Sequence, residues 1–377
     1  MDCQVSKAFE ELFLVEMEAA VKMPDDAGRM VVSALEEFIY KISDYGDVLR
    51  EILNYLAVSI SDLRTTDLKS IIEARNLFFP EEEVSVLLFN LQLCLEGDDE
   101  FAYCYVYEMV YPYILKHIPD VMMYKEHIKD HIKTLDSGDI LFRSCGMHYA
   151  RITRDVELAR ALIREAYDST IIFIKDSIKD EIFEDEGDFV CDVILQEKED
   201  NSPVIAFFLE TDLYKYMRDE TGKHIRRRIK EALVKASESI CDEYKSMTSM
   251  KAYITSCIMM GEELGLDEWE HDDLWYFEKA LVCAKEAYAR YGDDVSLEQL
   301  GLSYFYVYDS LMFHHGRGRE AQLYYEKMLD CGVYRENGRI ENKQKLKAEY
   351  HRLSKIMELR GLTEDARRCL DKMQALE

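Results

Sequence analysis

The chain has 377 residues, 48% of them hydrophobic, which is enough to bury a large core and rules out global disorder. That length exceeds one ordinary domain, so two domains or one elongated repeat array are the starting expectations. The 75 acidic and 47 basic residues give a formal net charge of −28. This charge repels polyanions, disfavouring nucleic acid and anionic membrane as partners and favouring basic proteins or peptides.

Ten cysteines are scattered along the chain without a CxxC pair, and the first residues, MDCQVSKAFEELFLVEMEAA, carry acids inside their apolar stretch. The expectation is no zinc ribbon, no disulfide framework and no cleaved leader. The most apolar segment, Val84 to Leu95, is interrupted by Asn90 and Gln92 and is too short to span a membrane. A soluble, cytoplasmic protein without a cofactor follows as the expectation.

In chain order, Phe9, Leu12, Phe13 and Met17 draw one helical stripe, and Leu49, Ile52, Leu53 and Leu56 draw another. FAYCYVY at 101–107 alternates like a strand, yet Tyr103, Tyr107 and Tyr111 keep a spacing of four. We assign it to helix, with a kink near Pro112. LDSGD at 135–139 reads as a boundary, dividing an N-terminal helical region, 1–138, from a second region, 139–377. Charged breaks are expected at EDEGD (184–188), QEKEDNSP (196–203) and DETGK (219–223).

Beyond them, Ile225, Ile229, Ala232, Leu233, Ala236 and Ile240 recur at three and four residues. Ala280, Ala284 and Ala287 make a small-residue helix face. No proline follows Pro203, which agrees with continuous helix and turn, since proline costs a helix interior about 3 kcal/mol. The fold class expected is all-α.

Several motifs invite chemistry. GRGRE at 316–320 lacks the third glycine of a dinucleotide loop and the GK[ST] of a phosphate loop, and helical sequence precedes it instead of a strand. It therefore reads as a turn between helices. His127 and His131 in EHIKDHIK are four apart, as on a zinc helix, but HExxH is absent and Ile128 and Ile132 mark the core side. The two histidines are expected on a solvated flank.

His314 and His315 fit a helix C-terminus, where the dipole favours them. Cys145 and His148 are neighbours on a helix, but Cys145 takes an apolar packing position. The acids around Gly187 do not fit an EF-hand, because Ile182 falls at the first ligand position; they read as a solvated loop. Segment 218–235 carries seven basic and three acidic residues, and its arginines are expected to pair with acids of neighbouring helices.

The C-terminal part shows an internal pattern. Leu297, Leu300, Gly301 and Tyr304 are followed by Gly316, Ala321 and Tyr325; Tyr350, Leu353, Ser354 and Met357 are followed by Gly361, Ala366 and Leu370. A weaker copy runs through Phe142, Cys145, Gly146, Tyr149, Ala159 and Ile163. This pattern resembles the tetratricopeptide repeat, a helical hairpin in which small residues allow close helix approach and large ones fill the gap between hairpins. Two spacings depart from the family: Tyr304 to Ala321 is 17 residues where the family has nine, and Ala321 to Ala366 is 45 where the family repeats at 34.

The resemblance implies a right-handed superhelix of hairpins and a non-enzymatic scaffold that holds a protein or peptide on its concave face. It also implies the lining residues: Glu298, Gln299, Leu302 and Tyr306 on one first helix, and His351, Arg352 and Lys355 on the next. Among the many tyrosines, Tyr304, Tyr325 and Tyr350 fall at packing positions and Tyr306 beside them, towards the surface. Two alternatives stand beside this reading. One is a bacterial-type regulator that binds a signalling peptide and switches another protein; the other is a helical metal-dependent hydrolase using His127 and His131.

Overall fold

The computed structural model describes residues 44–60, 63–85, 118–168, 184–211, 220–265, 272–332 and 343–376, with isolated positions at 33, 37, 115 and 170. The expected stripe at 9–17 and the FAYCYVY segment lie outside the described residues. Every regular element among those described is helical, and the fold is all-α. The chain divides into two compact units, 1–173 and 174–377.

In the first unit, α1 (Gly46–Val58) buries Leu49, Ile52, Leu53 and Leu56, the stripe its spacing predicts. It packs with α2 (Thr65–Glu73) and α3 (Val121–Ile132), which in turn packs on the hairpin of α4 (Ile140–Ile152) and α5 (Val156–Glu165). Aspartates set the starts of the last three helices: Asp120, Asp139 and Asp155 accept from the backbone N–H groups of Met123, Leu141 and Leu158. The α4–α5 hairpin follows the repeat pattern closely. Phe142, Cys145, Tyr149, Ala159 and Ile163 are all buried, and a Cβ on Gly146 would stand 2.8 Å from Leu162 Cδ2. That hairpin, which the sequence reading places in the second region, lies within the first unit.

The second unit contains α6 (Glu184–Leu195), α7 (Pro203–Thr211), α8 (Glu220–Tyr244), α9 (Met247–Gly265), α10 (Asp273–Tyr291), α11 (Asp294–Asp309), α12 (Gly318–Asp330), α13 (Lys343–Leu359) and α14 (Thr363–Ala375). From α8 onward each helix packs on the next in chain order. A continuous apolar core runs from Val234 to Cys369. It contains the small face of α10, with Ala280, Ala284 and Ala287 fully buried.

Two of the expected breaks are corrected here. EDEGD is the first turn of α6, and residues 220–223 begin α8. Acidic residues are favoured at a helix start, so a run of acids there need not be a loop. Gly187 serves close approach instead of a turn, since a Cβ there would stand 2.9 Å from Ile225 Cγ2. QEKEDNSP does form a connection: Ser202 Oγ accepts from Ile205 N, and Pro203 opens α7.

The surplus between Tyr304 and Ala321 also has a physical account. α11 runs directly into a π-helical turn, Ser310–His314, which lengthens the first helix before the chain reverses. Arg317 N then donates to Leu311 O, and Gly316 adopts φ +62°, a left-handed conformation that favours glycine. GRGRE is thus a helix-to-helix turn. Gly361, at φ +76°, closes α13 in the same way, with Leu362 N donating to Met357 O.

Candidate partner-binding face

The residues that the resemblance sets on the partner wall sit on α11 and α13. Tyr350, Leu353, Ser354 and Met357 turn into the core of the second unit. This leaves His351, Arg352 and Lys355 exposed on α13. On α11, Leu300, Gly301, Ser303 and Phe305 are buried, with Glu298, Gln299 and Leu302 half-buried beside them.

Tyr306 differs from the expectation of a surface residue: it is half-buried, stacked on Phe277 of α10 with ring centroids 5.4 Å apart and 22° between planes. α11 is flanked by α10 and α12 together, so a position one step off the packing stripe is covered as well. Arg352 is exposed but engaged. It donates to the Tyr325 hydroxyl at 2.8 Å and to Glu349 at 2.9 Å. Tyr325 in turn lies 4.9 Å from Tyr308, so an aromatic and guanidinium chain links α11, α12 and α13. The hydroxyl of Tyr325 donates to Glu349, and burial first, then this carboxylate, raise its pKa above the usual phenol range.

A polar cluster that the sequence reading missed stands at the other end of α11. The carboxylate of Asp273, fully buried, receives the Ser310 hydroxyl at 2.8 Å, His314 Nδ1 at 2.6 Å and His315 Nε2 at 3.1 Å. Burial alone pushes the Asp273 carboxyl up, but bonds to His314, Ser310 and His315 more than offset it and hold the group below the usual carboxylate range. Ser310 is buried and spends its proton on this carboxylate, so the cluster fastens the π turn to the start of α10. The only sequence signal for it was the pair of histidines at the helix end, read there as dipole partners.

In the basic segment, Arg226 and Lys230 of α8 both reach Glu263 of α9 and Arg228 pairs with Asp188 of α6, as expected, whereas Arg227 pairs with Glu231 on α8 itself. A similar group ties α12 to α14, where buried Glu326 accepts from Arg368 and Lys372.

His127 and His131 do not occupy a solvated flank. His127 Nδ1 is 2.9 Å from the Tyr55 hydroxyl, and His131 Nε2 is 2.9 Å from Asp67 of α2, which also receives Arg64. Each ring meets its own partner because α3 packs between α1 and α2, while Ile128 and Ile132 fill the core. Among the described residues no group of three or more His, Cys, Asp or Glu is arranged to hold a metal ion. Cys145 is buried and donates to Leu141 O, as a packing residue does.

His148 is held neutral. Burial, with Arg151 and Lys125 nearby, lowers its pKa to about 4. In the unfolded chain it titrates near 6.5, so between pH 6.5 and 4 the unfolded state binds the extra proton and stability falls as pH falls. His148→Gln is expected to flatten that part of the curve, read from urea midpoints at pH 7 and pH 5.

These elements define an all-α protein of consecutive helical hairpins, with the exposed polar residues of α13 and the half-buried ones of α11 as its candidate binding face. No helix among the described residues is long and apolar enough to cross a membrane. A scan against protein-family models and a search of curated proteins both find no match. Among solved structures, the chain is similar to a Signal Transduction ATPase with Numerous Domains (STAND) protein with a tetratricopeptide repeat sensor from Pyrococcus horikoshii. The identity is 15% and the TM-score 0.32, and the match covers 98% of this chain and 59% of that one.

Proposed function

We propose that the protein is a non-enzymatic scaffold of tetratricopeptide-like hairpins that holds a partner protein or peptide across α11 and α13. The observation that carries this reading is the division of labour within 294–375. The residues of the repeat pattern are consumed by packing, with Leu300, Ala321, Tyr325, Tyr350, Leu353, Met357 and Ala366 all buried. The intervening polar positions His351, Arg352 and Lys355 remain outside. A surface of that kind offers hydrogen bonds and charge on a rigid frame.

The test is a charge reversal at the exposed positions, His351→Glu with Lys355→Glu. Neither residue contributes to the core, so the fold should persist by circular dichroism. A partner captured by the wild-type protein from its source cell is expected to be lost from the variant. Undiminished capture by the folded variant would remove α13 from the interface. Tyr306→Ala is a poor probe for the same purpose, because it breaks the stack on Phe277 and so mixes stability with binding.

A further inference from the structure

Helices α8 and α10 both pack on α9, and one edge of each runs beside the other in matched register. Glu238 pairs with Lys279 at 2.9 Å, Cys241 Sγ lies 4.0 Å from Cys283 Sγ, and Lys245, just past α8, pairs with Glu286 at 3.6 Å. Each step along the chain is three or four residues on both sides, one helical turn, so the pairs are successive rungs of a ladder. Tyr291 extends it by donating to Lys245 O at 2.8 Å. The two cysteines are the middle rung, kept opposite each other by an ion pair on either side.

Both thiols are free in the structure. Cys241 is 8% exposed and Cys283 6%, whereas the ion pairs beside them reach solvent, so the sulfurs lie just beneath the surface. The thiolate is the reactive form of cysteine, and the surroundings favour it at Cys241. The hydrogen bond with Cys283, helped by Lys245, outweighs burial and the acids Asp242 and Glu286, and holds the Cys241 thiol below its ordinary range.

We propose that Cys241 and Cys283 form a modification site, at which a peroxide oxidises the pair to a disulfide joining α8 to α10. Two thiols and one peroxide give one disulfide and two waters. The Cys241 thiolate attacks a peroxide oxygen; the O–O bond breaks, hydroxide leaves and takes up the proton that Cys241 released, and Cys241 becomes a sulfenic acid. The Cys283 sulfur then attacks the Cys241 sulfur: the S–S bond forms, the S–O bond breaks, and the hydroxide leaves as water with the Cys283 proton. In sum, the two sulfurs pass two electrons to the peroxide. They must come about 2 Å closer to bond, and the exposed ion pairs on either side resist that movement only weakly. Neither residue belongs to α11 or α13, so the site neither depends on the scaffold reading nor falls with it.

The test treats the reduced full chain with hydrogen peroxide, alkylates it and digests it with trypsin without reduction. Cleavage after Lys235, Lys245, Lys279 and Lys285 leaves each cysteine alone on a peptide, 236–245 and 280–285. The expected product is these two peptides joined, at their summed mass less two hydrogens, and separated again by dithiothreitol. In urea, where ten cysteines compete, it should become a minor product. Cys283→Ala should leave Cys241 as a sulfenic acid that dimedone labels, and Cys241→Ala should leave Cys283 reduced. Should either variant fail to fold, dimedone added to the wild type with the peroxide should label 236–245 and not 280–285. A bridge from Cys241 to another cysteine such as Cys257, dimedone on 280–285 in place of 236–245, or both peptides still reduced after other cysteines have been oxidised would each overturn the assignment.

Discussion

Replacing Glu263 by Ala is expected to lower the unfolding free energy by about 3–5 kcal/mol, the range for removing one partner of a buried ion pair. Glu263 is 4% exposed and Arg226 is 8% exposed. The carboxylate accepts from Arg226 Nε at 3.0 Å, Arg226 Nη2 at 2.8 Å and Lys230 Nζ at 2.9 Å. Its loss leaves a guanidinium desolvated between α8 and α9 without its anion, and that unbalanced charge costs more than the attraction itself.

The matched control is Arg226→Met with Lys230→Met and Glu263→Leu, which removes all three charges of the cluster and should come much closer to the wild type. Denaturant unfolding of the wild type, the single variant and this triple variant decides between this account and a simple contact loss, in which the triple variant would be the least stable. The pH dependence runs in a definite direction. Burial raises the Glu263 carboxyl, but bonds from Arg226 and Lys230 more than offset this and leave it below its ordinary value. Its stabilisation is therefore complete above the unfolded value near 4.3 and disappears as pH falls through the folded one.

Ala321→Trp carries the second large effect. Ala321 is fully buried on α12, in the same core as Tyr325, Met328 and Leu329. Its small size is what allows α12 to approach α11, as the repeat pattern requires. Forcing an indole into that contact moves backbone and side chains, at a cost of about 1–3 kcal/mol or more. Ala321→Ser should be far milder. A melting temperature lowered only slightly by Trp would show that α12 is not packed as described.

Much of this was legible from sequence for one reason: helix packing is periodic. Leu49, Ile52, Leu53 and Leu56 recur at helical spacing and are buried on α1. The small and large residues of the repeat pattern, such as Ala321 with Tyr325 and Gly146 with Tyr149, also fall where two helices must come close. The Arg-rich stretch was legible through charge balance, since a basic patch in so acidic a chain finds carboxylates on its neighbours.

What stayed hidden depends on contacts between distant positions. Nothing local to Asp273 announces the histidines 41 and 42 residues away. Likewise, nothing local to His127 or His131 announces Tyr55 and Asp67 on helices that precede them. Tyr306 was misplaced because one helix's stripe says what faces a single neighbour, whereas α11 has neighbours on two sides. The acidic starts of α6 and α8 read as loops in the sequence because a run of charge lacks the apolar signal, although a helix terminus welcomes it.

Hydrogen–deuterium exchange of the protein with and without its captured partner bears most directly on the scaffold reading. The account predicts new protection confined to peptides covering 298–306 of α11 and 351–355 of α13, with the buried hairpin contacts unchanged. Protection located elsewhere, or none in a complex shown to be intact, would contradict it.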